Sequence, residues 1–157
     1  LGTTALVYVA NGESDDVSGY TINSTSGALT RIGGASVASV ANPSAIAVSA
    51  DGFFAFVTNA GANNTVTSYR VATDGKLLFV RSSQANPNPA PVGMNPSALG
   101  IASDHRFLYV ANKNSNTITA FAIGDLGQLS LVPQSGPNTN PVSVSGAVPE
   151  AIVISPD

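Results

Sequence analysis

The sequence predicts an all-β chain built from repeated four-stranded antiparallel sheets, and three observations carry that expectation. Val7-Tyr8-Val9-Ala10-Asn11 returns as Phe56-Val57-Thr58-Asn59 and again as Leu108-Tyr109-Val110-Ala111-Asn112. Pro43, Pro96 and Pro149 stand 53 residues apart, and a fixed period near fifty marks a repeat architecture. No window of about eleven or more residues holds the 3.6-residue period of an amphipathic helix, whereas short period-2 segments bounded by Gly, Asn and Asp recur throughout.

Each repeat resolves into four strands, A to D. Strand A begins at the recurring proline, over 43 to 49, 96 to 103 and 149 to 155. Its large residues (Ile46 and Val48; Leu99 and Ile101; Ile152 and Ile154) alternate with small ones (Ala45 and Ala47; Ala98 and Gly100; Ala151 and Val153), as two-sided strands require. A turn at Asp51-Gly52 or Asp104-His105 leads to strand B, the Tyr-Val-Ala-Asn type segment. An Asn-rich hairpin follows, at 11 to 16, 59 to 64 and 112 to 116. Strand C then sets Tyr20 and Ile22, Tyr69 and Val71, Phe121 and Ile123 on one face. The other face carries Val17 and Gly19, Val66 and Ser68, Ile118 and Ala120. Gly27, Gly75 and Gly127 turn the chain into strand D, which supplies Leu29 and Ile32, Leu77 and Phe79, Leu129 and Leu131. Sheets apolar on both faces must be sandwiched between neighbours, and large residues set against small ones fill such an interface without overpacking. This is the logic of β-propeller blades. The strand order reads BCD-ABCD-ABCD-A, three blades' worth in repeat units of approximately 5–52, 53–105 and 106–157.

Composition agrees with a folded chain. Hydrophobic residues make up 43% of its 157 positions and charged residues 10%, and mean hydropathy is +0.21, so a core can form. Without cysteine there are no disulfides, thiolate metal sites or cysteine nucleophiles. A surface polar through Asn, Ser, Thr and Gly points to an extracytoplasmic setting: secreted, periplasmic or cell-surface. Apolar runs are strand-sized, so no membrane span is expected, and any export signal is expected to precede Leu1. Six Lys plus Arg against nine Asp plus Glu, with no basic patch, argue against a nucleic-acid partner.

The segments Tyr8-Val9-Ala10-Asn11, Phe56-Val57-Thr58-Asn59 and Tyr109-Val110-Ala111-Asn112, together with Ser49-Ala50-Asp51-Gly52 and Gly27-Ala28-Leu29-Thr30, resemble the YVTN repeats of lactonase-like seven-bladed propellers. That family includes 6-phosphogluconolactonases and many bacterial and archaeal surface proteins, and the resemblance runs over almost the entire chain. It implies ligands on the face where the D-to-A connections and B-to-C hairpins meet, beside the start of each strand A. The ligand-face candidates are therefore Ser44, Ser97 and Glu150. The family's lactonases tend to place Arg or His just after the strand A proline, where a cation can hold an anionic substrate and polarise a lactone carbonyl. Here the positions read Pro43-Ser44-Ala45, Pro96-Ser97-Ala98 and Pro149-Glu150-Ala151.

No catalytic set emerges from the residues themselves. His105, the sole histidine, falls in an A-to-B turn, away from the expected ligand face, and reads as a solvated turn residue. Asp15-Asp16 and Asn63-Asn64 lack the spaced pattern of a calcium loop and read as hairpin caps. Asn23-Ser24-Thr25 and Asn63-Asn64-Thr65 match the glycosylation sequon. No metal and no cofactor is expected.

Three blades do not close a ring, since propellers have about four to eight. The large side chains on each terminal face would forgo about 1.5–3 kcal/mol apiece. Either further blades of the same chain complete the fold, or copies complete one another head to tail as a ring or filament. In the second case the assembly edges are Leu6 and Tyr8 on one side and Ala151, Ile152 and Ile154 on the other. Two functions remain open: a non-enzymatic binding or surface-assembly module, favoured by the missing cations, and a lactonase whose active residues lie in other blades.

Overall fold

The computed structural model describes residues 5–33, 37–38, 41–133, 140–146 and 148–155. They form three antiparallel sheets side by side, with no helix among the described residues and hence none long and apolar enough to cross a membrane. The first sheet comprises β1 (Leu6–Asn11), β2 (Asp16–Ile22), β3 (Leu29–Arg31) and β4 (Val37–Ala38). The second comprises β5 (Pro43–Val48), β6 (Phe54–Asn59), β7 (Thr65–Val71), β8 (Leu77–Phe79) and β9 (Ala90–Pro91). The third repeats it with β10 (Pro96–Ile101), β11 (Phe107–Asn112), β12 (Thr117–Ile123), β13 (Leu129–Leu131) and β14 (Val142–Ser143). The all-β class and the blade order A-B-C-D are as the sequence predicts. Each strand A pairs with the strand B that follows it, so the sheets divide the chain before Pro43 and Pro96. The repeat units counted from the first strand B divide it after 52 and 105.

Two details depart from the expected strand pattern. Strand D is broken: β8 pairs with the second half of β7, and β9 with its first half, so the sheets hold four, five and five strands where the order BCD-ABCD-ABCD gives three, four and four. Between the halves the chain leaves the sheet, and a side chain closes the gap. Asn88 accepts the Ser68 N–H at 2.9 Å and donates to the carbonyls of Ser68 and Val80 at 2.9 and 2.8 Å. Asn140 does the same for Ala120 and Val132, so the buried backbone groups keep their partners. The second departure is the last strand A. Residues 148–155 lie against the third sheet but belong to no ladder, because no strand B lies beside them among the described residues.

The core sits between the sheets. At the first junction Tyr8 and Val17 meet Ile46, Ala55, Val57, Tyr69 and Leu77. At the second, Phe56, Val66 and Ala90 meet Leu108, Val110, Phe121 and Leu129. Outward-facing apolar residues remain uncovered, Val9 being 42% and Leu29 55% exposed. The Asn that ends every strand B clamps its hairpin from inside. Asn59, 1% exposed, donates to the Thr65 and Thr67 hydroxyls at 3.2 and 2.9 Å. Asn112 donates likewise to Thr117 and Thr119, and Asn11 to Asp16 and Ser18.

Candidate functional site

The B-to-C hairpins and the residues just before strand A form one face, joined across neighbouring blades. Asp15, in the first hairpin, accepts the Asn42 N–H at 2.5 Å, and Asn64, in the second, accepts the Asn95 N–H at 2.7 Å. Asn42 and Asn95 adopt φ of 58° and 54°, a left-handed conformation that Asn tolerates better than most residues. It aims each N–H at the preceding blade's hairpin. The strand A prolines follow directly, so Ser44, Ser97 and Glu150 stand at the inner end of this face.

Ser44 and Ser97 are occupied by structure. The Ser44 hydroxyl lies 2.5 Å from the Pro96 carbonyl oxygen and 2.9 Å from the Thr58 hydroxyl. The Ser97 hydroxyl donates to the Pro149 carbonyl at 2.8 Å. The residue after one strand A proline thus hydrogen-bonds the next strand A proline, stepping 52 residues each time. This ladder holds 149–155 in the place of a fourth strand A, where Ile152 and Ile154 pack against Gly100. Among the described residues neither hydroxyl is hydrogen-bonded to a base, so neither is set up as a nucleophile.

Glu150 is exposed and meets Lys113, from the third hairpin, at 2.7 Å. The hydrogen bond from Lys113 and its positive charge hold the Glu150 carboxyl below its ordinary value. Lys113 is the cation that these blades present on this face; its place after the strand B Asn, where Gly12 and Ala60 stand in the other copies, was the signal for it.

His105 lies at the other end of the strands, in the A-to-B turn, with φ 59°. Its Nδ1 is 3.6 Å from Asp51 of the neighbouring turn. Desolvation works to raise the Asp51 carboxyl, but hydrogen bonds from the Phe53 N–H and Ser49 hydroxyl, with the charge of His105, outweigh it and hold the group below its usual range. No group of three His, Cys, Asp or Glu able to hold a metal occurs among the described residues. Of the assembly-edge residues, Leu6 and Tyr8 lie on β1, which ends its sheet, while their side chains turn to the second blade: both Leu6 and the Tyr8 hydroxyl meet Gly75. Ala151 is exposed.

Stacked blades of this order, with connections gathered on one face, define a propeller of the lactonase type. The chain belongs to the lactonase family of seven-bladed β-propellers, whose model matches residues 32–146. The 6-phosphogluconolactonase of Bacillus subtilis (strain 168) is 28% identical over 138 residues, covering 87% of this chain and 38% of that protein. The chain therefore spans well under half the length of this relative. Among solved structures, a Lactobacillus plantarum protein superposes with a TM-score of 0.73 at 24% identity, covering 92% of this chain and 42% of that one. A periplasmic gluconolactonase of Pseudomonas aeruginosa gives 0.68 at 24% identity, covering 90% and 39%. At such identities the structures establish the fold alone.

Proposed function

We propose that these blades are part of a sugar-lactone hydrolase acting outside the cytoplasm, with its reactive cations carried on blades other than these three. The observation that carries this reading is the 28% identity to a 6-phosphogluconolactonase, spread over 87% of the chain within the lactonase family. It favours the enzyme over the non-catalytic surface module. The periplasmic gluconolactonase of Pseudomonas aeruginosa and the cysteine-free, charge-poor composition support the location. In this reading the three blades supply a wall of the substrate face, and Lys113, partnered by Glu150, is the cation nearest an anionic substrate. Base-poor Ser44 and Ser97 tie blades together.

The outward apolar faces take further blades of the same kind, supported by the exposure of Val9, Leu29 and Val153, the last at 92%. Intact mass and sedimentation of the isolated protein separate a longer chain from self-association of copies; a folded monomer of 15.7 kDa contradicts both.

The test of the activity is hydrolysis of glucono-δ-lactone and 6-phosphogluconolactone by the full-length protein, followed by pH-stat. Turnover above the spontaneous rate is expected. One observation favours the surface-assembly reading, namely that serine or glutamate follows all three strand A prolines; a protein that turns over neither lactone would restore it.

A further inference from the structure

On the outer rim, away from the hairpin face, a groove of about 630 Å³ opens between the second and third blades. Small-molecule sites commonly enclose about 300–1,000 Å³. Its apolar walls are unusually bare: Phe53 is 63%, Phe79 52% and Leu126 74% exposed. Its charged residues are Arg70, Arg81 and Asp125. Part of the remaining wall comes from the excursion that breaks strand D, held by a turn in which the Ser83 N–H donates to the Asn86 carbonyl at 3.0 Å and the Asn86 N–H to the Ser83 hydroxyl at 3.1 Å.

Two comparisons within the molecule separate this groove from ordinary blade packing. At the first junction Ala5, Thr21, Arg31 and Gly33 occupy the positions of Phe53, Arg70, Phe79 and Arg81. The repeat therefore does not itself require the groove's two phenylalanine rings and its pair of arginines. The second comparison is of cations. Lys76 pairs with Asp74 and Lys113 with Glu150, while Arg106 lies over the Phe107 ring at 5.6 Å. Among the described residues four arginines, Arg31, Arg70, Arg81 and Arg106, have no ion-pair partner, and two of them, Arg70 and Arg81, line the groove. In a chain of net charge −3, this is a local excess of positive charge beside exposed aromatic rings.

We propose that the groove is a binding site for a small aromatic carboxylate. Guanidinium groups match carboxylates in geometry and charge, and phenylalanine rings accept a flat apolar body. Two arginines set against Asp125 leave one unit of positive charge, which fits a monoanion better than a dianionic phosphate. The site lies apart from the substrate face and does not depend on lactone hydrolysis.

Isothermal titration of the full-length protein with 2-naphthoate, and with neutral 2-naphthalenemethanol as the matched control, tests it. Naphthoate is expected to saturate one site and the alcohol to bind far more weakly. R70Q and R81Q should each weaken naphthoate by about tenfold, the loss of one charge-assisted contact. D125N should tighten it, an effect no folding defect imitates, and R106Q, outside the groove, should leave it unchanged. Equal binding of acid and alcohol, indifference to both arginine changes, or absence of saturation would overturn the proposal.

Discussion

The Tyr8 hydroxyl donates a 2.6 Å hydrogen bond to the carbonyl oxygen of Gly75, 67 residues further along the chain, and so fastens the first blade to the C-to-D turn of the second. Phe56 stands at the corresponding place one repeat later and packs without a hydroxyl, so ring shape alone satisfies the junction. Tyr8→Phe should therefore cost about 0.5–1.5 kcal/mol in urea unfolding, the net worth of one hydrogen bond. Burial, and then the negative charge of Asp74, raise the Tyr8 phenol above its ordinary value. Its protonated form is thus favoured by folding. That stability is complete below about pH 10, where the unfolded chain's phenol still holds its proton, and is lost as pH rises through the folded value. Stability of Tyr8→Phe should fall less steeply in that alkaline window, and equal slopes would show that the bond does not couple to titration.

Ser44→Ala and Ser97→Ala probe the proline ladder. Each removes a donor from a neighbouring strand A carbonyl, with an expected loss of about 1 kcal/mol in chemical denaturation. Lactone turnover by the full-length protein should be unchanged. Turnover lost at unaltered stability would place these hydroxyls on the substrate instead.

Asn59→Ala strips two buried threonine hydroxyls of their shared donor, and water has no route to replace it where Asn59 is 1% exposed. A cost of about 1–3 kcal/mol is expected. Asn11 makes the same clamp with Asp16 and Ser18 in a half-buried hairpin, so Asn11→Ala should cost less. A thermal melt of both variants decides whether burial sets the size of the effect.

Blade order, the faces of strand C and the shared hairpin face were legible because repetition and two-residue alternation translate directly into which side a residue occupies. The roles of Ser44 and Ser97 were not, because a serine after proline looks the same whether its hydroxyl meets solvent or a carbonyl 52 residues away. The break in strand D was hidden in a stretch that reads as loop. Asn88-Pro89 and Asn140-Pro141, repeated 52 residues apart, were its trace, but an asparagine side chain standing in for a strand is visible only once Ser68 and Ala120 are placed beside it. The outer groove escaped for the opposite reason: it arises where the second repeat differs from the first, and period-based reading discards differences.

Gly127 and Gly27 turn equivalent corners, with φ of 80° and 71°, yet their surroundings differ. A Cβ on Gly27 would meet nothing within 4 Å, whereas one on Gly127 would overlap the Phe54 ring of the preceding blade. Alanine at either site carries the left-handed backbone cost of about 1–2 kcal/mol. Gly127→Ala adds the overpacking of a filled junction, about 1–3 kcal/mol more. The difference between the two variants in denaturant midpoint thus reads inter-blade packing with the turn strain subtracted. Phe54→Leu should return part of the loss when combined with Gly127→Ala and none when combined with Gly27→Ala. Equal losses for the two glycine variants would mean that the second and third blades are not held in close contact at this turn.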